Sequence, residues 1–285
     1  MVTLSHRRER GARREEYIKK QITHNHNESL VRCLPQNGHT FLGGIMILEE
    51  LSMKEFEKKV KKIKTVIIPV GSLEAHGPHL PLGTDTIEVY EIVKKTAQSV
   101  DVFVAPPLPY GLCRSTSKHP GTTGITGNTL RALIRDIIRS LHANHLKNFI
   151  IISGHASPLH LAALQEAGES MLEELPSDTN IAVVSAYALA LQVTGNICEA
   201  ENDSHAGEIE TSLILHLKPD LVKGRAKKEY PIFPHPLLTR NKKKYWKSAV
   251  WGDPDKASAK KGETISRLMT GKIVEIVKKI DAFRE

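Results

Sequence analysis

The chain has 285 residues, of which 40% are hydrophobic and 25% charged, and its formal net charge is +8. These proportions exclude a collagen-like, low-complexity or globally disordered protein, and they allow one large domain or two small ones. The longest mostly apolar stretch, residues 181–193, is too short and too interrupted to cross a bilayer. Because the first residues are rich in Arg rather than apolar, we expect a cytoplasmic protein without a secretory leader.

In chain order, the apolar pattern predicts a helix at 54–62 capped by Ser52, a strand at 65–71, a helix at 86–97, a strand at 102–106, a helix that Asn128 begins, a strand at 148–153, a helix at 158–174, a strand at 181–185, and helices at 207–217 and 263–282. Near-continuous apolar strands that alternate with helices are typical of a parallel sheet covered on both faces. We therefore predict an α/β fold, a single three-layer domain with a mainly parallel sheet covered by helices on both faces.

Residues 1–45 differ from the rest of the chain. They hold eight Lys or Arg, four Glu and no sustained periodicity, which predicts a basic, disordered tail. A second interpretation is that translation begins at Met46, because the codons of Gly43 and Gly44 can spell a ribosome-binding sequence. In both cases we expect the folded domain to span residues 46–285.

The positions of the cysteines and of the charged residues limit which cross-links, metal sites and binding partners we expect. Cys33, Cys113 and Cys198 are scattered, and they predict neither a disulfide framework nor a Cys-x-x-Cys zinc site. Residues 222–261 carry twelve Lys or Arg against three acids, which is typical of a solvated surface or of a site for a phosphorylated substrate. The sequence has no motif of a nucleic-acid-binding module, so we expect neither a nucleic-acid nor a membrane partner.

Residues with metal-binding chemistry follow the predicted strands. Ligands bind beyond the carboxyl ends of strands in open α/β sheets, and three separate loops bring His and carboxylate residues to that edge. They are Glu74, His76 and Asp85 after the first strand, His155 after the third, and His205, Glu208 and Glu210 after the fourth. Neutral imidazole with carboxylates suits zinc, iron(II) or manganese, so the sequence predicts a metal site.

Other polar residues give weaker indications. His119, in the sequence His-Pro-Gly-Thr, follows a strand by a longer loop, which is more typical of a turn than of a metal ligand. Tyr110 and Arg114 lie in the same loop and are candidates for substrate contact. His160 falls on a predicted helix face, which indicates a structural role.

Four motifs occur in a recognisable order. The first, at residues 71–85, is Gly-Ser-x-Glu-x-His-Gly-Pro-His-Leu-Pro-Leu-Gly-Thr-Asp. It is followed by His-Pro-Gly-Thr at 119–122, Ser-Gly-His at 153–155 and His-Ala-Gly-Glu-x-Glu-Thr-Ser at 205–212. Together they resemble the motifs of the creatininase (creatinine amidohydrolase) family over about residues 47–222.

The resemblance implies a single α/β domain with a binuclear metal centre, in a homo-oligomeric hydrolase of non-peptide amide bonds. Carried over by motif, Glu74 and His155 hold one metal ion, His76 holds the other, and Asp85 bridges the two. His205 is then the acid–base or substrate-orienting residue.

Two features of the sequence concern the second metal ion. One is a carboxylate that would support the ligands, and the other is a departure from the motif pattern of the creatininases. The resemblance makes Glu210 a carboxylate that supports the ligands from behind. Creatininases have a glutamate ligand two residues after the histidine of the Gly-His motif, where this chain has Ser157. The second ion is then completed by water, substrate or Glu208. We expect substrate contacts from Glu208, Ser157, His119 and Tyr110.

The positions of the tryptophans are a second departure from the pattern of the creatininases. Creatininases enclose their flat substrate with tryptophans near the His-Ala-Gly motif. Here Trp246 and Trp251 come later, in the basic segment. We therefore expect a substrate other than creatinine.

The Ser-Gly-His-Ala and Asp-Ser-His-Ala-Gly-Glu-Ile-Glu-Thr-Ser sequences resemble more closely the archaeal formamide hydrolases of this family. Those enzymes use iron(II) to remove formate from 2-amino-5-formylamino-6-ribosylaminopyrimidin-4(3H)-one 5′-phosphate in riboflavin and deazaflavin coenzyme synthesis. The resemblance thus implies Fe2+, with a second divalent ion that is Fe2+, Zn2+ or Mn2+, and a phosphorylated small-molecule substrate. The alternatives are a creatininase-like amidase of an unphosphorylated cyclic or acyl amide, and a metal-binding protein without turnover.

Overall fold

The computed structural model describes residues 46–284. The predicted basic tail at 1–45, and the alternative that it is not translated, concern residues outside this range. Among the helices of the described residues, none is long and apolar enough to cross a membrane.

The described residues form twelve helices and strands apart from short 3-10 turns. In chain order these are β1 (Met46–Ile47), α1 (Met53–Lys59), β2 (Thr65–Val70), α2 (Thr84–Thr96), β3 (Phe103–Val104), α3 (Gly127–Ala143), β4 (Asn148–Ser153), α4 (Pro158–Glu174), β5 (Asn180–Ser185), α5 (Ala186–Val193), α6 (Glu208–Leu217) and α7 (Ala259–Ala282). The 3-10 helices are Leu48–Glu50, Pro219–Leu221, Lys242–Lys244 and Pro254–Lys256.

Within the described residues, five strands form one parallel sheet in the order β1-β3-β2-β4-β5. β2 and β4 pair along their full length, from Thr65 opposite Asn148 to Val70 opposite Ser153. Because the strands run in one direction, their carboxyl ends meet along a single edge, where the loops after β2, β3 and β4 lie side by side. The predicted parallel sheet is confirmed.

Helices cover both faces of this sheet, so the three-layer prediction is also confirmed. α2, α5, α6 and α7 pack on one face, against side chains such as Ile67 and Ile150. α1, α3 and α4 pack on the other face, against side chains such as Ile68, Phe149 and Ile151. The central strands are therefore buried on both sides, which explains their near-continuous apolar sequence.

The ends of several elements differ from the prediction. The N-cap of α3 is Thr126 and not Asn128, because the Thr126 hydroxyl accepts a hydrogen bond from the Thr129 N–H at 3.1 Å. α7 begins one turn earlier than predicted, after a cap by Ser258. β3 is shorter than predicted, and it ends before Pro106, a residue that has no N–H to donate to a neighbouring strand.

Gly154 allows α2 to approach the end of β4. A Cβ atom at this position would lie 2.1 Å from the carbonyl oxygen of Asp85, which no side chain tolerates. The glycine after β4 therefore permits the contact that brings Asp85 beside His155.

Candidate metal centre

Glu74, Asp85 and His155 meet at the carboxyl edge of the sheet. Glu74 lies in the loop after β2, Asp85 in the first turn of α2, and His155 in the loop after β4. His155 Nδ1 lies 2.7 Å from Glu74 Oε1 and 3.1 Å from Asp85 Oδ2, and all three side chains are buried. The other nitrogen of His155, Nε2, faces the Leu112 carbonyl oxygen at 3.3 Å, which orients the ring.

His76 lies on the other side of Asp85. Its Nε2 atom is 2.9 Å from Asp85 Oδ1 and 3.7 Å from Glu210 Oε2. Its Nδ1 atom lies 3.0 Å from the carbonyl oxygen of Glu74, which accepts the Nδ1 proton. Each oxygen of Asp85 thus faces a different histidine, as a bridging carboxylate requires.

The charges of this cluster hold one another in the ionised form. Burial alone would raise the pKa of Glu74, but the charge and hydrogen bond of His155 together with the charge of His205 outweigh it and lower that pKa to about 2. Burial alone would lower the pKa of His76, but the charge and hydrogen bond of Asp85 together with the charges of Glu210 and Glu74 outweigh it and raise that pKa to about 10. In the same way, His76 and His155 outweigh the effect of burial and hold the pKa of Asp85 well below its ordinary value. Glu74 and Asp85 outweigh the effect of burial at His155 and hold its pKa well above the ordinary value. The buried carboxylates therefore require positive charge opposite them.

The donor set fits a divalent metal ion. Asp85 Oδ2 is buried and has no hydrogen-bond partner among the described residues, and the nearest charged group to it is His155 Nδ1 at 3.1 Å. In the described residues, three groups of ligand atoms lie within 4.8 Å of one another: Glu74 with Cys113 and His155, Glu74 with His76 and His205, and His76 with Asp85 and Glu210. A bound cation would replace the imidazole protons that otherwise balance the carboxylates.

Glu210 lies with His76 and Asp85 in one group of potential ligand atoms. It lies in the first turn of α6, and burial raises its pKa to about 8. Ser157 is half-buried at the N-cap of α4. The first turn of α6 thus brings a candidate third ligand to His76 and Asp85, where the resemblance gives Glu210 only a supporting role.

Glu208 faces away from this cluster. Its carboxylate accepts hydrogen bonds from the N–H groups of Glu199 at 2.8 Å and Ala200 at 2.6 Å, and it pairs with Lys261 at 2.5 Å. These contacts hold the loop before α6 and explain its burial. The proposed completion of the metal site by Glu208 is therefore wrong, since its oxygens are engaged elsewhere. Its substrate contact stays a prediction.

His205 lies next to the ligand cluster. Its ring stacks on that of His76 with the centroids 4.1 Å apart, and its Nε2 atom lies 2.9 Å from the Ala75 carbonyl oxygen. Burial, helped by the charge of His76, lowers the pKa of His205 to about 4, so the ring is neutral at pH 7. Because a carbonyl can only accept, Nε2 carries the proton and Nδ1 remains an acceptor.

The His-Pro-Gly-Thr motif fastens the loops of the site. His119 Nε2 donates to the Trp246 carbonyl oxygen at 2.7 Å, and the Thr122 hydroxyl accepts from the Ala75 N–H at 3.0 Å. Tyr110 is 46% exposed in the loop after β3. Substrate contacts of His119 and Tyr110, like that of Ser157, stay predictions.

Trp246 and Trp251 reach the site from the basic segment, although their place in the sequence did not suggest it. The Trp246 ring packs edge-on against His205, with the centroids 5.1 Å apart, and against Trp251 at 6.1 Å. The Trp251 backbone donates to the His205 carbonyl oxygen at 2.7 Å and accepts from its N–H at 3.0 Å. The late position of the tryptophans therefore gives no argument against a flat substrate.

Cys113 and Glu88 also lie at the site and were not predicted. Cys113 is buried beside Glu74 and His155. Glu88 is buried one turn after Asp85 on α2, burial raises its pKa well above the ordinary value, and its Oε2 atom has no hydrogen-bond partner in the described residues. The helical spacing of Asp85 and Glu88 was the available signal for the second residue.

Known proteins share this sequence pattern and this fold. The family model described as creatinine amidohydrolase matches residues 49–277. The chain belongs to the creatininase family. Creatinine amidohydrolase of Pseudomonas putida is 32% identical over 190 residues, which are 61% of this chain and 72% of that protein. A mycofactocin precursor peptide peptidase of Mycolicibacterium smegmatis is 28% identical over 229 residues, 76% of this chain and 85% of the peptidase.

Solved creatininases share the fold of this creatininase-family hydrolase. A mutant creatininase described as the Zn–Zn type has a TM-score of 0.74 at 26% identity, over 83% of this chain and 98% of its own. The relatives are named for two different substrates, creatinine and a precursor peptide. Family membership therefore leaves the substrate of this chain open.

Proposed function

We propose that the protein is a metal-dependent hydrolase of an amide C–N bond in a small, flat, anionic molecule. The observation that carries this proposal is the position of a neutral His205 against the ligand cluster. One side of its ring stacks on His76 at 4.1 Å, and Trp246 packs against it at 5.1 Å. A proton acceptor, a set of metal ligands and an aromatic side chain thus adjoin one another.

Glu74, Asp85 and His155 would hold one metal ion, and His76, Asp85 and Glu210 the other. When bound, a divalent ion supplies Lewis acidity toward a carbonyl oxygen and lowers the pKa of water at neutral pH. We propose iron(II) as the resident ion, with iron(II), zinc or manganese as the second.

His205 would move the proton of the reaction. Its Nε2–H is held by the Ala75 carbonyl oxygen, so Nδ1 is the atom that accepts a proton from the attacking water. The same nitrogen returns that proton to the leaving amine as the C–N bond breaks. For a formamide the products are formate and the free amine, so one water is consumed and no redox partner is needed.

The position of Lys242 supports the proposal of an anionic substrate. Its Nζ atom donates to the Ser115 hydroxyl at 3.1 Å and lies 5.9 Å from the Phe233 ring centroid. The next residue after Ser115 is Thr116, whose hydroxyl donates to Glu74. Among the described residues, no carboxylate lies within ion-pair distance of Lys242, so this half-buried cation near the ligand cluster is available to a phosphate.

The finer proposal is the substrate 2-amino-5-formylamino-6-ribosylaminopyrimidin-4(3H)-one 5′-phosphate. Its pyrimidine is flat, its formamide is a non-peptide amide, and its phosphate suits Lys242. The protein would then act in riboflavin or deazaflavin coenzyme synthesis. We also propose that it works as a homo-oligomer, which light scattering of the purified protein tests.

A creatininase-like amidase of an unphosphorylated cyclic amide is the second candidate. The packing of Trp246 against His205 favours it, because an aromatic side chain next to the proton acceptor suits any flat ring whether or not it carries a phosphate. The two candidates differ in the role that they give to Lys242.

Formate release separates these candidates. Metal-loaded protein is assayed for formate release from the ribotide (the phosphorylated substrate named above) and from its dephosphorylated ribonucleoside, and for ring opening of creatinine to creatine. We expect the ribotide to be hydrolysed, Lys242→Ala to raise its KM at least tenfold, and the exposed neighbour variant Lys243→Ala to leave KM unchanged. Equal KM values for ribotide and ribonucleoside, both unaffected by Lys242→Ala, favour the unphosphorylated amide. Metal binding without hydrolysis of any amide contradicts an enzymatic role.

A further inference from the structure

The loop after β3 lies against the ligand pair formed by Glu74 and His155. The Leu112 carbonyl oxygen faces His155 Nε2 at 3.3 Å. The Thr116 hydroxyl donates to Glu74 Oε2. One short segment thus contacts both side chains, and Cys113 lies between these two contacts in the sequence.

The Cys113 thiol points into the same cluster. Its sulfur, a Glu74 carboxylate oxygen and a His155 nitrogen all lie within 4.8 Å of one another, and the Cys113 residue is only 4% exposed. A second observation points to a cation here, because the buried Asp85 Oδ2 atom lies 3.1 Å from His155 Nδ1 and has no hydrogen-bond partner in the described residues.

We propose that Cys113 is a thiolate ligand of the metal ion held by Glu74, Asp85 and His155. This inference rests on the metal centre of the proposed function and adds a ligand to it. When the ion binds, the thiol proton leaves to solvent and a sulfur lone pair forms the bond to the metal, so no oxidant or reductant is required. Sulfur favours zinc, iron(II) and cobalt(II) over manganese, which takes oxygen ligands. Cys113 thereby sets the metal preference of this position.

A buried cysteine that only fills space is the competing explanation, since free cysteines behave as small apolar side chains. Cys198 supplies the comparison within the same chain. It is half-buried, and it belongs to none of the ligand groups of the described residues. If Cys113 is merely apolar filling, the two cysteines should respond alike to a metal ion.

Cobalt(II) spectroscopy distinguishes these explanations without an activity assay. One variant, Cys33→Ser with Cys198→Ser, retains Cys113 alone, and a matched variant, Cys33→Ser with Cys113→Ser, retains Cys198 alone. After cobalt(II) loading, visible ligand-field bands report metal binding, and a near-ultraviolet sulfur-to-cobalt charge-transfer band reports a thiolate ligand. We expect both sets of bands in the first variant and only the ligand-field bands in the second.

Metal competition gives a second measurement. Cys113→Ser should lower the affinity for zinc at least about tenfold while it changes the affinity for manganese much less, and Cys198→Ser should change neither. If Cys113→Ser does not fold, the spectrum of the variant with Cys113 alone still decides. Bound cobalt(II) without the charge-transfer band overturns the thiolate ligand and leaves the metal centre intact. A protein that binds no cobalt(II) overturns both.

Discussion

Asp85 joins the two halves of the ligand cluster, because Oδ1 faces His76 and Oδ2 faces His155. We expect Asp85→Asn to lower metal affinity at both positions by at least roughly tenfold and to abolish turnover, since an amide carries no charge and offers one oxygen. Metal content after dialysis measures this. Asp136→Asn is the matched control, because Asp136 is an exposed partner of Arg139. Full metal retention by Asp85→Asn contradicts the bridging role.

His205 is expected to affect turnover without affecting metal content. Its Nε2 atom is held by the Ala75 carbonyl oxygen, and its neutral ring makes Nδ1 a proton acceptor. His205→Asn should therefore lower kcat by roughly 10²- to 10⁴-fold while the metal content stays at the wild-type value. Steady-state kinetics and metal analysis on the same preparation check this. A loss of metal would show instead that His205 is a ligand.

Some site residues could be predicted from the sequence and others could not. Glu74, Asp85 and His155 were predictable as a group, because each follows a buried strand and each has a side chain that binds metal. Cys113 had no such signal, since one cysteine without a partner at fixed spacing predicts no site. The place of Trp246 at the site could not be predicted for a different reason. It reaches the site along a path set by the backbone pairing of Trp251 with a distant loop.

At the scale of elements, the contact between α2 and the end of β4 controls the geometry of the centre. A Cβ atom on Gly154 would lie 2.1 Å from the Asp85 carbonyl oxygen. We expect Gly154→Ala to lower the free energy of unfolding by about 1–3 kcal/mol and to weaken metal binding, because α2 must shift. Urea unfolding and metal titration measure the two effects.

Gly271 provides the control for that substitution. It lies on an exposed position of α7, and a Cβ atom there would have no neighbour within 4 Å. Gly271→Ala should raise the free energy of unfolding by about 0.5–1 kcal/mol, because alanine restricts the unfolded chain and favours a helix. If both substitutions have the same effect on unfolding, crowding at Gly154 is not the cause.

The ends of helices and strands were predicted where polar or helix-starting residues separate two elements, and they were missed where an apolar sequence continues from one element into the next. β4 and α4 were predicted at their observed ends, because Gly154 and Pro158 separate them. α5 was missed, because residues 181–193 are mostly apolar and Ser185 alone interrupts the passage from strand to helix. The transition occurs at Ser185, whose hydroxyl accepts from the Ala188 N–H at 3.2 Å and caps α5. Only the capping contact identifies that boundary.

At the scale of the whole molecule, removal of metal should make stability depend on pH. The pKa of His76 is raised from 6.5 to about 10, so its stabilising contribution is present below about pH 6.5 and is lost as the pH rises toward 10. The pKa of Glu74 is lowered from 4.5 to about 2, so its contribution is present above about pH 4.5 and is lost as the pH falls toward 2. Chelated protein should therefore be most stable between roughly pH 5 and 6.5.

Metal-loaded protein should keep its stability to higher pH, because the bound cation replaces the proton on His76. Thermal unfolding of the chelated and the loaded protein between pH 5 and 10 compares the two forms. A chelated protein that is as stable at pH 9 as at pH 6 contradicts this balance of charge.

Metal titration coupled to formate release tests most directly whether this centre is catalytic. Chelated protein is reconstituted without oxygen with iron(II), zinc or manganese, and hydrolysis of the formylamino-pyrimidine ribotide is followed against metal equivalents. We expect no turnover after chelation and a rise in turnover until two equivalents are bound. Two bound equivalents without formate release contradict the proposed substrate. Full turnover after chelation, or no binding of any of the three ions, contradicts the metal centre itself.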